Sequence, residues 1–353
     1  MTMSEPKAAE ALEKNAREIA ERAAANLLSA DPELRDRFGA DAPAIWRDHL
    51  HQRLLELSAA VAVGNPNLFS TRIIWSQQAM NVRDLGFVEL DKSLKALRDG
   101  IADALDEAVR SVCLGCFDAA LAEAQARNAV VEETALDPGQ PFDRLASLYI
   151  QAVLAGNAPM AMQLVLDSIE EGMAPVDLIM RTLLPAQREV GRLWHANQIS
   201  IADEHLVTNT TQRLMAVLAS RVRCQPDRGK TAIAASVPGN VHDIGIRSIA
   251  YLLEFDGWRT IYLGSDTPRG EIVAAVDSFE ADLVLLSVAL SSQFTALKRM
   301  IDEIRAGKSG NSVKILVGGN GFAGEPELWR SFGADGYAPT ADEALALAAE
   351  LVD

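Results

Sequence analysis

Five histidines carry most of the chemistry open to this sequence, and three of them stand in two short, polar stretches. The first is Val237-Pro238-Gly239-Asn240-Val241-His242-Asp243-Ile244-Gly245. Imidazole is the commonest nitrogen ligand for a borderline metal, and a carboxylate or amide usually orients its second nitrogen. Asn240 and Asp243 are the nearby acceptors. Pro238 and Gly239 hold the loop extended, and Gly245 permits close backbone approach. The second stretch is Trp194-His195-Ala196-Asn197-Gln198-Ile199-Ser200-Ile201-Ala202-Asp203-Glu204-His205. Ser200 and Asp203 form a capping box, so a helix begins near Ile201. Glu204 and His205 then fall in its first turn, where the helix dipole favours a carboxylate. Taken alone, each stretch is ordinary: a surface histidine, and a solvated helix start beside a buried tryptophan.

The elements around them give the stretches a place. Residues 1–130 read as helix, with apolar residues three and four apart and breaks at Ala40–Pro43, Gly64-Asn65-Pro66 and near Gly86. Residues 131–141 lose that period and read as a linker. Residues 142–223 break at Gly156-Asn157, at Gly172–Pro175 and near His195–Ser200, which predicts an antiparallel four-helix bundle. From 230 to 353 short apolar runs, Thr231–Ser236, Trp258–Leu263, Asp282–Val288 and Val313–Val317, alternate with amphipathic segments, Ile244–Phe255, Arg269–Ser278, Gln293–Ala306 and Ala341–Leu351. That alternation predicts a Rossmann-like parallel sheet covered on both faces, so the fold class is α plus α/β. Ligands in such sheets lie beyond the carboxyl ends of the strands, which is where the His242 loop falls.

Net charge is −16. An acidic surface repels phosphate backbones, and no helix-turn-helix or zinc-finger pattern offsets that, so direct nucleic-acid binding is not expected. No apolar run is long enough for a membrane span, and the charged, helical N-terminus does not read as a secretory signal. Three cysteines cannot build a disulfide framework, which suits the cytoplasm. Cys113-Leu114-Gly115-Cys116 lacks a second ligand pair for zinc and reads as buried helical thiols. No enzymatic output domain is visible, so the chain is expected not to be an enzyme.

Asn240-x-His242-x-x-Gly245 resembles the D/E-x-H-x-x-G signature of the B12-binding domain shared by methionine synthase, corrinoid proteins and B12-dependent photoreceptors. Two further family stations follow at strand ends, Ser287-Val288-Ala289-Leu290-Ser291 and Gly318-Gly319-Asn320-Gly321. The resemblance covers about residues 230–353. It implies that His242 is the lower axial ligand to cobalt, replacing the cofactor's own base. It further implies that the displaced nucleotide tail threads into the sheet, with Asn240, Val241, Asp243, Ile244, Gly245, Ser287, Leu290, Ser291, Gly318, Gly319 and Asn320 as cofactor contacts. Asn240 departs from the acidic residue of the signature; an uncharged acceptor there should polarise the imidazole less. Gly319-x-Gly321-x-x-Gly324 also fits the dinucleotide fingerprint, but it follows the fourth strand and lacks the distal acidic residue.

The spacing Trp194-x9-Glu204-His205 resembles the motif of CarH-type B12 photoreceptors, in which the bundle caps the upper face of adenosylcobalamin. The resemblance implies Trp194 over the adenosyl group and Glu204 and His205 as adenosyl-side contacts. It implies His195 as a cobalt ligand once light has expelled that group. The resulting expectation is an adenosylcobalamin photoreceptor, a homo-oligomer whose self-association or protein partner is controlled by light. The alternatives are a corrinoid methyl carrier serving separate methyltransferases and a light-independent B12-sensing regulator. The segments Ile45–His51 and Asn67–Trp75 resemble the helical sensor domain of photocobilins, which implies biliverdin as a second chromophore. Arg47, His49, Arg72 and Arg83 are the candidate partners for its propionates.

Overall fold

The computed structural model describes residues 3–81, 87–127, 133–323 and 325–352. Arg83, Gly86, linker residues 131–132 and Gly324 lie outside them. The chain divides into two compact units, Met1–Val131 and Glu132–Asp353.

The first unit is helical: α1 (Glu5–Ala30), α2 (Pro32–Phe38), α3 (Ala42–Ala62), α4 (Asn67–Asn81), α5 (Phe87–Ala104) and α6 (Glu107–Ala126). One face of α1 is a buried stripe of Ala8, Leu12, Ala16, Ile19 and Ala23, small enough to let α3 pack closely. The sequence reading missed the break between α1 and α2, although Asp31 caps the Leu34 N–H and Pro32 follows at the first helical position. It also missed the break at Leu105-Asp106, which no glycine or proline marks.

Inside α3, Trp46 and Leu50 are buried, and the Trp46 and His49 rings meet edge-on at 5.5 Å. Buried Arg53 pairs with buried Glu56 at 3.0 Å and donates to Ser76 Oγ at 2.8 Å. Two of the cations expected at a bilin have protein partners: Arg47 pairs with Asp48, and Arg72 pairs with Glu56 while covering the Trp75 ring. Cys113 is buried and Cys116 half-buried. Burial pushes their thiols up to about 12 and about 11, and no metal-holding group of residues occurs among the described residues.

His49 gives this unit a pH signature. Its Nε2 is buried with no hydrogen-bond partner among the described residues, and burial, aided by the Arg53 charge, lowers its pKa from 6.5 to about 4. The folded ring therefore binds a proton less tightly than an unfolded histidine. Its contribution is complete above pH 6.5 and is lost as pH falls from there to about 4, amounting to about 3 kcal/mol. Chemical denaturation of the full chain at stepped pH should show that decline, and His49→Leu should flatten it.

The second unit opens with the bundle: α7 (Pro141–Leu154), α8 (Ala158–Glu170), a third helix in three parts, and α11 (Ile201–Ala219). The third helix runs through α9 (Pro175–Asp177), a π-helical turn (Leu178–Leu183) and α10 (Leu184–His195). Pro185 supplies no N–H to the Arg181 carbonyl, which removes one α-helical bond where the wider winding occurs. Tyr149, Val165, Leu183, Val190, Leu214 and Met215 form the bundle core, which extends onto Leu252 and Phe255 of α12 (Ile244–Phe255).

The remainder is the expected parallel sheet, with β1 (Thr231–Ser236), β2 (Arg259–Gly264), α13 (Arg269–Ser278), β3 (Leu283–Ser287), α14 (Phe294–Ala306), β4 (Lys314–Gly318), α15 (Trp329–Phe332), β5 (Gly336–Ala338) and α16 (Ala341–Val352). The strand order is β2-β1-β3-β4-β5, all parallel. β5 is a correction to the four strands expected; three residues, Gly-Tyr-Ala, are too few to show a period. Ala232, Ala234, Leu283, Leu285 and Leu316 pack under Ile246, Ala250 and Leu253 of α12 and Ala344 and Ala348 of α16. The direction of winding reverses between β1 and β3, so the crevice for a ligand opens at their carboxyl ends. No described helix is long and apolar enough to cross a membrane.

Candidate functional site

The His242 loop leaves β1 at that crevice and is braced from three sides. Gly239, at φ +79°, donates its N–H to Asp266 Oδ1 at 2.7 Å and accepts from Gln293 Nε2 at 2.8 Å. The other end of Gln293 accepts from the Ala289 and Leu290 N–H groups, which ties the β3 loop to the β1 loop. Asn240 is fully buried; its Nδ2 donates to the Ser287 carbonyl at 3.0 Å and its Oδ1 accepts the His242 backbone N–H at 3.0 Å. The expectation that Asn240 orients the imidazole is thereby corrected. It orients the backbone that carries the histidine instead.

Asp243 is corrected in the same way. Its two oxygens receive Gln212 Nε2 at 2.9 Å, Arg247 Nη2 at 2.6 Å and the Tyr262 hydroxyl at 2.5 Å, so it faces away from the ring beside it. Burial, with the Asp243 carboxylate next, raises the Tyr262 pKa, and Arg247 covers the Tyr262 ring at 4.8 Å. The His242 residue is exposed, as is Val241 at the loop tip, and no hydrogen bond of its imidazole is seen among the described residues. An accessible imidazole on a rigid loop is what an axial ligand requires.

The Ser and Gly stations gather at the neighbouring strand ends. Gly319 has φ +100°, and a Cβ there would lie 2.4 Å from the Val288 carbonyl. A Cβ on Gly318 would lie 2.7 Å from the Ala338 carbonyl. These glycines let the β3, β4 and β5 ends close on one another. Ser287 is half-buried, and its carbonyl serves Asn240. Leu290 and Ser291 enter a single turn, where Ser291 Oγ is buried with no hydrogen-bond partner among the described residues. Asn320 opens another such turn and is exposed, and Ile244 and Gly245 form the first turn of α12 with open space beside Gly245. An orphaned hydroxyl and an accessible imidazole at the same sheet edge fit a ligand that brings both polar atoms and a metal.

On the bundle, the capping box at Ser200 is present: its Oγ accepts the Asp203 N–H at 3.2 Å, and Asp203 returns the bond to the Ser200 N–H at 2.9 Å. These bonds from Ser200 lower the Asp203 pKa. Trp194 and His195 end α10, half-buried, before a tight turn with Asn197 at φ +56°. Glu204 Oε2 meets His205 Nδ1 at 2.5 Å, and His205, Ile201 and Leu206 are exposed around them. Gln212 lies two turns further along α11 and is the residue that holds Asp243. One helix face, 204, 208 and 212, thus joins the Glu204–His205 pair to the His242 loop over about 12 Å. Sequence reasoning missed Gln212, Arg247 and Tyr262; the spacing by four was the readable sign of the first.

Residues 230–346 match the family described as B12 binding domain, and residues 145–219 match a second family of that description. The sheet and its helical cap are B12-binding domains. A corrinoid protein of Desulfitobacterium hafniense is 26% identical over 208 residues, covering 57% of this chain and 94% of that protein. Monomethylamine corrinoid protein 1 of Methanosarcina acetivorans is 26% identical over 218 residues, covering 60% of this chain and 97% of that protein. Among solved structures, the monomethylamine corrinoid protein of Methanosarcina barkeri matches with a TM-score of 0.53 at 23% identity, over 61% of this chain and all of that one. The B12-binding arrangement of bundle plus parallel sheet is therefore the fold of a corrinoid protein.

Proposed function

We propose that the chain is a corrinoid carrier that holds cobalamin between bundle and sheet with His242 beneath cobalt, and that it serves a separate methyltransferase rather than acting as an enzyme itself. The accessible His242 imidazole at the switch point, on a loop fixed by buried Asn240, carries this reading. The names of the relatives, a corrinoid protein and a monomethylamine corrinoid protein among them, support the carrier role. Bound there, the corrinoid supplies a cobalt that takes and gives up a small alkyl group. The chain's own part is to present the imidazole, to exclude water from the lower face and to keep the tail among the strand ends, where Ser291 Oγ has a bond to give. Spectral titration of the full chain with methylcobalamin tests it. Wild type should bind with the cofactor's base displaced, and His242→Ala should bind at least about tenfold more weakly. Binding of equal strength, with the base retained in both, rejects His242 as ligand.

A second reading, an adenosylcobalamin-dependent light sensor, is favoured by Trp194 at the end of α10 and the Glu204–His205 pair opening α11. In this reading Trp194 covers the upper group, Glu204 and His205 hold it, and His195 stands by as a replacement ligand. Illumination of the dark-loaded protein should change its absorption and its elution volume, and Trp194→Ala should abolish both changes. Unchanged spectrum and volume in wild type reject light sensing and leave the carrier.

A further inference from the structure

The loop that carries His242 has its hydrogen bonds complete within the chain. Gly239 uses both backbone groups, its N–H on Asp266 Oδ1 at 2.7 Å and its carbonyl on Gln293 Nε2 at 2.8 Å. Asn240 uses both of its own, donating to the Val237 carbonyl at 3.0 Å and accepting the Asp266 N–H at 2.9 Å. The His242 N–H meets Asn240 Oδ1 at 3.0 Å, and its carbonyl accepts from Ser236 Oγ at 3.3 Å. Asp243 closes the far side, its carbonyl taking the Arg247 N–H at 2.8 Å and its carboxylate held by α11, α12 and β2. A loop already bonded in this way gives up little further freedom when its exposed imidazole takes a metal.

The β3 side of the crevice is different. Ser291 Oγ is buried there with no hydrogen-bond partner among the described residues, and a buried hydroxyl of that kind is satisfied by an atom from outside the chain. Gln293, two residues on and also buried, spans the two sides. Its Oε1 accepts the Ala289 and Leu290 N–H groups at 2.9 and 3.1 Å, and its Nε2 reaches across to Gly239. The bonds that set the His242 backbone are thus all supplied by the protein, and the open one lies at the other loop. Presenting the imidazole and receiving a nucleotide tail are separate tasks.

We propose that ligation by His242 does not depend on the nucleotide tail, so that the chain also takes tailless corrinoids, the cobinamides, with Gln293 and Asp266 as the positioning residues that hold the loop for them. The proposal rests on the reading of His242 as the ligand beneath cobalt. A seated tail makes ligation an intramolecular event, which tolerates a looser loop. Without a tail the loop has to be in place on its own. A tailless corrinoid is therefore the sensitive probe of the two positioning residues.

Cobinamide reduced to the Co(II) state tests this, because it carries no base of its own. In a nitrogen-free buffer, any axial nitrogen coupling in its electron paramagnetic resonance spectrum comes from the protein. The full chain should show that coupling, its pattern should change when the histidines carry heavy nitrogen, and His242→Ala should remove it. Asp266 is exposed, so Asp266→Ala opens no cavity. It should weaken cobinamide about tenfold and cobalamin distinctly less. Asp266→Asn keeps the acceptor, suits the backbone at φ +48°, and should restore cobinamide binding. Gln293→Glu keeps the acceptor for the β3 loop, sets an oxygen against the Gly239 carbonyl, and should weaken the two corrinoids as unequally as Asp266→Ala does. Histidine coupling with cobalamin but none with cobinamide overturns the proposal and leaves the corrinoid reading standing. Equal weakening of the two corrinoids by Asp266→Ala and by Gln293→Glu overturns the positioning role. Histidine coupling with neither corrinoid, or coupling that survives His242→Ala, overturns His242 as the ligand as well.

Discussion

Gly319→Ala is expected to destabilise the sheet domain by about 4 kcal/mol. The native backbone there has φ +100° and ψ 169°, a region nearly closed to residues with a Cβ, and forcing one into it costs about 1–3 kcal/mol. The new methyl would also stand 2.4 Å from the Val288 carbonyl, which accepts the Gly321 N–H at 2.9 Å. Relief requires the ends of β3 and β4 to part, which breaks that bond and adds about 1–3 kcal/mol of overpacking. A fall in melting temperature of roughly 8–16 °C follows for a unit of this size. Gly245→Ala is the control: nothing lies within 4 Å of its Cβ position and the residue is helical, so stability should be unchanged or slightly raised. Equal melting of Gly319→Ala and wild type would refute the close approach of the strand ends.

Asn240→Asp is expected to cost about 3 kcal/mol at pH 8, although it restores the acidic residue of the D/E-x-H-x-x-G pattern. Asn240 is fully buried and its Nδ2 donates to the Ser287 carbonyl. A carboxylate would set two oxygens 3.0 Å apart with no proton between them, an unpaired buried charge. Burial and the facing carbonyl raise the folded pKa of the introduced carboxyl above its unfolded value near 4. Its stabilising contribution is then complete below that value and is lost as pH rises through the folded pKa. The gap between variant and wild type should therefore narrow as pH is lowered toward about 5. Denaturation at stepped pH checks this, with Asn240→Ala as the comparison whose loss does not depend on pH. A loss from Asn240→Asp that is equally flat would show that the Ser287 carbonyl is not its neighbour.

Both results turn on atoms that a linear reading cannot aim. Period and punctuation sufficed for most elements: Thr231–Ser236, Ile244–Phe255 and Arg269–Ser278 are read from the sequence with the bounds the structure has. The Ser200 capping box was legible because all its parts lie within four residues. β5 was lost to its shortness, and the π turn at Leu178–Leu183 left no sign beyond Pro185. In the site, the residue types at 240, 242 and 243 were visible, but Ser287, Gln212 and Tyr262, which bond to Asn240 and Asp243, lie 19 to 47 residues away along the chain. Sequence spacing suggested that these side chains serve the imidazole. The fold directs them to a strand carbonyl and to a bundle helix instead. Asn240 holds position because two crossovers, through α12 and α13, bring β3 beside β1, and nothing local announces that.

At the carboxyl edge of the sheet, Ser236, Ser287, Gly318 and Ala338 stand side by side in one row of the strand register. All four are small, and the next residues inward are Ala235, Leu286, Val317 and Tyr337. The row acts as a machined step, with the headroom beneath α12 and α16 set by alignment rather than by any loop. A slip of one residue in β3 would put a leucine or valine into that row and turn its whole apolar set to the other face. The depth of the crevice is therefore kept true by the packing of the entire sheet, and it has the tolerance of a core, not of a surface loop.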